Sequence, residues 1–320
     1  MDNKPLIILT GPTASGKTEL SVRLAKAING EIISADSIQV YKYMDIGSAK
    51  VTKEEMNGIT HYLIDELEPD EEFNIYIFKE RAVKYINKIY EKGKIPIIAG
   101  GTGFYIQSVL YDIDFNKEDN DKCYREELEK IGKDMGREYL HNILKSVDKK
   151  SAEDIHPNNI KRVIRALEYY KITGNKISEH NESQRKRKSP YNFRYFVLNM
   201  DRELLYDRIN KRIDIMLEKG LAGEVEKLLK MGYDRNLVSM QGIGYKEIAS
   251  YLKGEISYEE AVYIIKRDTR HFAKRQLTWF RREENAEFVN YRDFNMDKDK
   301  ITEYLIRESL NTIEKGKGIL

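Results

Sequence analysis

The chain has 320 residues, room for two domains of roughly 100–200 residues each or for one larger domain carrying an insertion. Hydrophobic residues make up 41% and charged residues 34%, which excludes disorder or low complexity as its main character. Lys and Arg total 55 against 53 Asp and Glu, so the net charge of +2 gives no sign of a polyanionic partner, and any such sign must come from local clustering.

In chain order, the opening Met1-Asp2-Asn3-Lys4-Pro5 leads into an apolar run too short for a signal peptide. That run, residues 6–9, reads as a buried strand because it is short, apolar and β-branched in character. A helix follows over 17–28, with Leu20, Leu24 and Ala27 on one face, and then a strand over 32–34. Residues 62–64 make a weaker strand candidate. A helix over 75–90 places Phe78, Ala82, Ile86 and Ile89 together, and 95–99 reads as another buried strand. Strands alternating with helices imply βαβ units and a parallel sheet.

After Asp114 the pattern turns helical, with candidates over 125–131, 138–144 and 158–170. In the last of these Ile160, Val163, Ile164 and Leu167 recur at helical spacing, and Gly174 supplies the stop. A strand over 195–198 resumes the α/β theme. Helices then follow over 204–219, 221–231, 245–252 and from 258 to about 282, with a terminal helix within 301–320. The expected organisation is an α/β core over 1–116 and 191–320, interrupted by a mostly helical insertion over 117–190. Cys123 is the only cysteine, which excludes an intrachain disulfide and a zinc site built on several cysteines. No stretch approaches the ~18 apolar residues of a membrane span, so a soluble, cytoplasmic protein is expected.

Gly11, Pro12, Thr13, Ala14, Ser15, Gly16, Lys17 and Thr18 match G-x-x-x-x-G-K-[ST] at every fixed position. The motif follows the first strand and opens the first helix, where the mechanism needs it. Backbone N–H groups of such a loop converge on phosphate oxygens, and the helix N-terminus adds partial positive charge. Lys17 would meet a terminal phosphate, and the Thr18 hydroxyl is the candidate Mg²⁺ ligand. The loop does not name its ligand: ATP is the default, but a pyrophosphate on any other group satisfies the same geometry. A nucleotide hydrolase usually carries an Asp after a second apolar strand. Here 95–99 runs into Gly100-Gly101-Thr102-Gly103, leaving Asp65 as a possible substitute.

A second signal is local charge. Lys266, Arg267, Arg270, Lys274, Arg275, Arg281 and Arg282 face one acid, Asp268, within a single helix. Arg267, Arg270, Lys274 and Arg281 share a stripe expected to meet phosphate, while Ile265, Phe272 and Trp279 form another expected to pack. A further cluster, Arg185-Lys186-Arg187-Lys188, ends the insertion and reads either as a clamp or as a solvated run.

Several blocks together resemble the tRNA dimethylallyltransferase (tRNA isopentenyltransferase) family. They are the phosphate loop, SADSIQVY over 34–41, MDIGSAK over 44–50, GGTGFY over 100–105, RVIRALE over 162–168, QGIGYKE over 241–247 and TRHFAKRQLTWFR over 269–281. The blocks keep the family's order over nearly the whole chain; Ile38 and Ser48 depart mildly from it. The sequence lacks the C-terminal zinc finger of eukaryotic members, which points to the bacterial type. The resemblance implies a P-loop NTPase-like core with an inserted helical domain. It also implies transfer of a dimethylallyl group from dimethylallyl diphosphate to N6 of the adenosine just 3′ of the anticodon, in tRNAs reading codons that begin with U. The products are N6-isopentenyladenosine and diphosphate.

Carried onto this sequence, the resemblance makes Asp36 the general base, gives Thr102 a hydrogen bond to the target adenosine and puts Arg212 on the diphosphate. The phosphate loop then holds the prenyl donor rather than ATP, with Mg²⁺ at Thr18. The tRNA-facing set is Asp36, Ser37, Ile38, Gln39, Thr102, Arg125, Lys161, Arg162, Arg165, Gln241, Gly242, Ile243, Gly244, Tyr245, Lys246, Lys274, Arg275, Gln276, Trp279 and Arg281. From the residues alone Arg208 and Arg212 are equivalent neighbours on one helix face, and Asp36 also fits a backbone cap or a Mg²⁺-shell carboxylate. The Gly-Gly-Thr-Gly turn suggests close substrate approach to bare backbone. Chemistry on N6 requires extrusion of the base, with Gln39 or Tyr41 expected to hold it. A tRNA-sized partner makes a monomer the simplest expectation. The competing readings are a P-loop kinase or NTPase acting on a small substrate, and a non-catalytic RNA binder that leaves the phosphate loop unexplained.

Overall fold

The computed structural model describes residues 4–114, 122–185 and 187–316. The 116/117 boundary and Lys186 lie outside the described residues. The chain divides into two compact units, Met1–Val109 with Pro190–Leu320, and Leu110–Ser189.

The elements of the first unit begin with β1 (Pro5–Thr10), α1 (Lys17–Ala27), β2 (Gly30–Ala35), α2 (Lys53–Met56), β3 (His61–Tyr62), α3 (Ile75–Glu91), β4 (Ile95–Gly100) and α4 (Gly103–Leu110). The second unit carries α5 (Lys122–Asp134), α6 (Arg137–Val147), α7 (Lys149–Asp154), α8 (Ile160–Thr173) and α9 (Ile177–Arg185). The first unit resumes with β5 (Asn192–Asn199), α10 (Arg202–Glu218), α11 (Leu221–Lys230), α12 (Tyr245–Leu252), α13 (Tyr258–Phe280), β6 (Ala286–Asn290) and α14 (Lys298–Gly316).

The six strands form one parallel sheet in the order β3-β2-β4-β1-β5-β6. Central strands covered on both faces need continuous apolar runs, and β1, β2 and β4 are buried almost throughout. α1, α3 and α14 pack on them. Register sets the geometry of the site: Thr10 pairs with Gly100 and Gly100 with Ala35, so three strands end side by side. The Thr10 hydroxyl ties this edge by donating to the Gly100 carbonyl at 2.6 Å.

Two strands differ from the sequence expectation. β3 spans His61–Tyr62 rather than 62–64, because Leu63 turns to φ 61° and takes the chain out of the ladder. β6 has no counterpart in the expectation: of its residues only Val289 is fully buried, so this edge strand carries no apolar alternation. The helices α4, α7 and α9 were likewise not expected; α7 and α9 are short and polar, KKSAED and ISEHNESQR.

The second unit builds its own core from Leu128, Leu140, Leu144, Val163, Ile164 and Leu167. α8 ends at Gly174, φ 69°, in the left-handed conformation that helix stops favour. Glu168 is 0% exposed, and the Arg125 guanidinium grips it bidentately at 2.8 and 2.7 Å. Asp148 caps α7 through Ser151 N–H and also accepts from Ser178, which pins α9. Among the described residues no helix is long and apolar enough to cross a membrane.

Candidate functional site

At the carboxyl ends of β1, β2 and β4 lies a cavity of about 150 Å³ lined by Thr13 to Thr18, Ser34, Asp36, Gly100, Gly101, Arg212 and Gln276. This edge is the usual ligand crevice of an open parallel sheet. The loop entering α1 is held from outside as well as from within. Tyr291 O–H donates to the Ser15 carbonyl at 2.7 Å, and Thr13 N–H donates to Gln276 Oε1 at 2.9 Å. The buried Ser15 hydroxyl has no hydrogen-bond partner among the described residues.

Lys17 Nζ donates to the carbonyls of Gly11 and Pro12 at 2.9 and 2.7 Å, folded back onto its own loop. Burial and the neighbouring Arg212 cation lower its pKa to about 7, against the opposing pull of Asp36. Arg212 is itself pushed down by burial and supported by Asp36. Two confined cations with one carboxylate make a site short of negative charge, which an incoming polyphosphate supplies. Arg208 goes elsewhere: its guanidinium lies over the Tyr291 ring, 5.4 Å from the centroid. Asp65, the possible Mg²⁺ partner of an NTPase, instead pairs with Lys50 at 2.5 Å and does not line the cavity.

Asp36 follows β2 directly. Its Oδ1 accepts from Ile38 N–H at 2.9 Å and Gln39 N–H at 3.3 Å, so the turn orients the carboxylate while the residue lines the cavity. Capping and site roles therefore coexist in one side chain. Thr102 N–H donates to the Ala35 carbonyl at 3.1 Å, which ties the Gly-Gly-Thr-Gly turn to the residue before Asp36. Ser37 and Ile38 are half-buried in the same turn. Among the described residues no group of three or more His, Cys, Asp or Glu is placed to hold a metal. The Thr18 hydroxyl and Asp36 carboxylate still face one cavity, an oxygen set that fits Mg²⁺ when phosphate oxygens and water complete its shell.

The cavity is also lined by Ser48, Val51, His61, Ile64 and Phe272, which the sequence reading missed. They come from separate loops, from β3 and from α13, and no local spacing links them. His61 Nδ1 lies 2.9 Å from the Ile59 carbonyl, and burial lowers its pKa, so the ring is neutral at physiological pH.

α13 corrects three expectations. Its packing stripe is Ala261, Ile265, Ala273, Gln276 and Phe280, whereas Phe272 is 37% exposed and Trp279 only half-buried. Gln276, expected to face tRNA, is 6% exposed and donates through Nε2 to the Gly101 carbonyl at 3.0 Å. Gly101 and Gly103 of the Gly-Gly-Thr-Gly turn make room for α13, whereas Gly100 makes room for the Ala35 backbone and, with Gly101, lines the cavity. A Cβ on Gly101 would stand 2.2 Å from Gln276 Nε2, and one on Gly103 would stand 2.2 Å from Trp279 Cδ1.

Other expected contacts also find internal partners. Tyr41 is 1% exposed and packs edge-on against Phe73, so it belongs to the core rather than to a base-holding surface. Gln39 points its amide inward, donating to the carbonyls of Ser48 and Ala49 and accepting from Ser34. Tyr245, 1% exposed, donates to Glu224 Oε1 at 2.8 Å, and Gly244 is buried beside it. Arg125 is engaged by Glu168. Lys161, Arg162, Gln241, Lys274, Arg275 and Arg281 are exposed, and Arg165, Gly242, Ile243 and Lys246 are half-buried. On α13 a cleft of about 380 Å³ is lined by His271, Lys274, Arg275, Thr278, Trp279 and Arg282, cations interleaved with one indole.

The chain is similar to known proteins over most of its length. The IPP transferase family model matches residues 39–283. The tRNA dimethylallyltransferase of Lachnoclostridium phytofermentans is 63% identical over 300 residues, covering 94% of this chain and 96% of the relative. That of Acetivibrio thermocellus is 58% identical over 298 residues, covering 93% and 95%. Among solved structures, the full-length tRNA isopentenylpyrophosphate transferase of Bacillus halodurans superposes with a TM-score of 0.74 at 43% identity, covering 99% of each chain. A eukaryotic dimethylallyltransferase acting on tRNA superposes with a TM-score of 0.77 at 31% identity, covering 90% of this chain and 74% of the other. The chain belongs to the IPP transferase family.

Proposed function

We propose that this chain transfers the dimethylallyl group of dimethylallyl diphosphate to N6 of the adenosine 3′ of the anticodon in tRNA. The observation that carries this reading is one cavity in which a phosphate loop, two confined cations and a turn-oriented carboxylate converge. An adenine amino group is a weak nucleophile because its lone pair is delocalised into the ring. Asp36 takes the N6 proton as that nitrogen attacks the allylic carbon, while the C–O bond to diphosphate breaks. Lys17, Arg212 and the loop N–H groups hold the leaving diphosphate and neutralise the charge it gains. Thr18 would hold Mg²⁺, which when bound would offset further diphosphate charge. The basic cleft on α13 offers phosphate contacts and an indole face to RNA.

A kinase or NTPase reading lacks the Asp expected after β4, and its possible substitute, Asp65, is paired with Lys50. The test is incubation with Mg²⁺, dimethylallyl diphosphate and unmodified tRNA, followed by nucleoside mass spectrometry with ATP turnover measured in parallel. A prenylated adenosine formed without ATP consumption is the expected result. ATP turnover with no prenylated nucleoside would overturn the reading.

A further inference from the structure

Gln276 sits where an RNA contact was expected, yet it is buried and both ends of its amide are bonded across long sequence separations. Oε1 accepts from Thr13 N–H of the phosphate loop, and Nε2 donates to the Gly101 carbonyl of the turn that carries Thr102. The Gly101 Cα–H leaves just enough room for that Nε2. The same helix puts Phe272 into the donor cavity and Trp279 against Gly103, and presents Lys274 and Arg275 to the outer cleft.

We propose that Gln276 is a positioning residue: an amide strut that sets the spacing between the phosphate loop and the Gly-Gly-Thr-Gly turn, and thereby donor affinity, without touching RNA. The chemistry of the residue supports this. At neutral pH a primary amide presents both acceptor and donor on one planar group, where a carboxylate of the same length only accepts, and the strut needs one of each. Thr13 N–H is one of the amides a phosphate loop would otherwise leave free, so its partner decides where the loop rests before the donor arrives. A buried amide with both bonds made is costly to cut, because each orphaned group retains its desolvation penalty. The inference rests on the donor assignment proposed above.

The test separates donor from RNA. In Gln276→Leu, with both hydrogen bonds removed, the KM for dimethylallyl diphosphate rises about tenfold or more, as expected for two lost buried bonds, while the Kd for tRNA stays within about twofold. Gln276→Glu keeps the acceptor for Thr13 but sets a second acceptor against the Gly101 carbonyl. Its donor KM, taken relative to wild type at each pH, falls back as pH is lowered into the carboxyl range, where the protonated acid again supplies a donor. A residue of merely structural importance has no such rescue. If either variant fails to fold, amide exchange in the wild-type protein decides: Thr13 N–H is protected without donor, and exchange at an unbonded loop rate overturns the strut. A raised tRNA Kd with unchanged donor KM also overturns it, and returns Gln276 to the RNA surface. Absence of any prenyl transfer by the wild-type protein instead sinks the functional reading itself, a separate result.

Discussion

The phosphate loop and the basic helix α13 meet at one cavity, yet they are encoded in different ways. The loop works through backbone amides in one contiguous segment, so its spacing in sequence is its geometry. α13 offers side chains, and which of them stand outward for a partner depends on which face the rest of the fold buries. The lesson is that a helix carrying both a packing stripe and a functional stripe cannot be apportioned from its own sequence. Phe272 and Trp279 look like core by size but lie at the cavity and the cleft, whereas the polar Gln276 is buried.

The sharpest break between the two regions is chemical. Asp36→Ala removes the proposed base from a position outside both the loop and α13. Transfer is expected to fall by about 10²–10⁴, the usual contribution of a general base, with donor and tRNA binding nearly unchanged. Single-turnover transfer rates alongside filter-binding affinities check this; loss of binding in step with rate would return Asp36 to a capping role.

The loop side is next. Burial and Arg212 bring the Lys17 pKa to about 7, so its ammonium is present below that pH and is lost as pH rises through it. A bound diphosphate favours the charged form. Donor affinity should therefore weaken by up to about tenfold per pH unit above about 7, until the pKa of the complex is reached. Calorimetric titration across that range, with Lys17→Met as the control lacking this dependence, tests it.

Much of the sheet was legible because β1, β2, β4 and β5 are buried runs that announce themselves. β6 was not, since an edge strand with one buried residue has no pattern to read. In the site, the loop and Asp36 could be placed because they follow strand ends. His61, Val51 and Ile64 could not, because only tertiary contact brings them to the cavity. The glycine turn was legible only in part: Gly100 and Gly101 line the cavity, but the room that Gly101 and Gly103 leave for α13 is a tertiary contact. Gly103→Ala puts a methyl group 2.2 Å from Trp279 Cδ1 and should cost roughly 1–3 kcal/mol of stability by overpacking. Thermal melts of Gly103→Ala and of Gly103→Ala with Trp279→Ala decide the matter: if the indole is the obstacle, the second substitution relieves the first.

The smallest effect is expected at the outer face of α13, where Lys274 is exposed in the cleft. A single exposed cation on a phosphate releases about one counterion. Lys274→Ala should therefore weaken tRNA binding uniformly across tRNA sequences and flatten the salt dependence of log Kd by about one unit of slope. The donor KM should not move, because Lys274 reaches neither the phosphate loop nor the glycine turn. Its neighbour two residues on, Gln276, should behave in the opposite way. A Lys274→Ala variant with altered donor KM would mean that the two faces of α13 are not separable, and that engagement of RNA is transmitted through the helix to the loop.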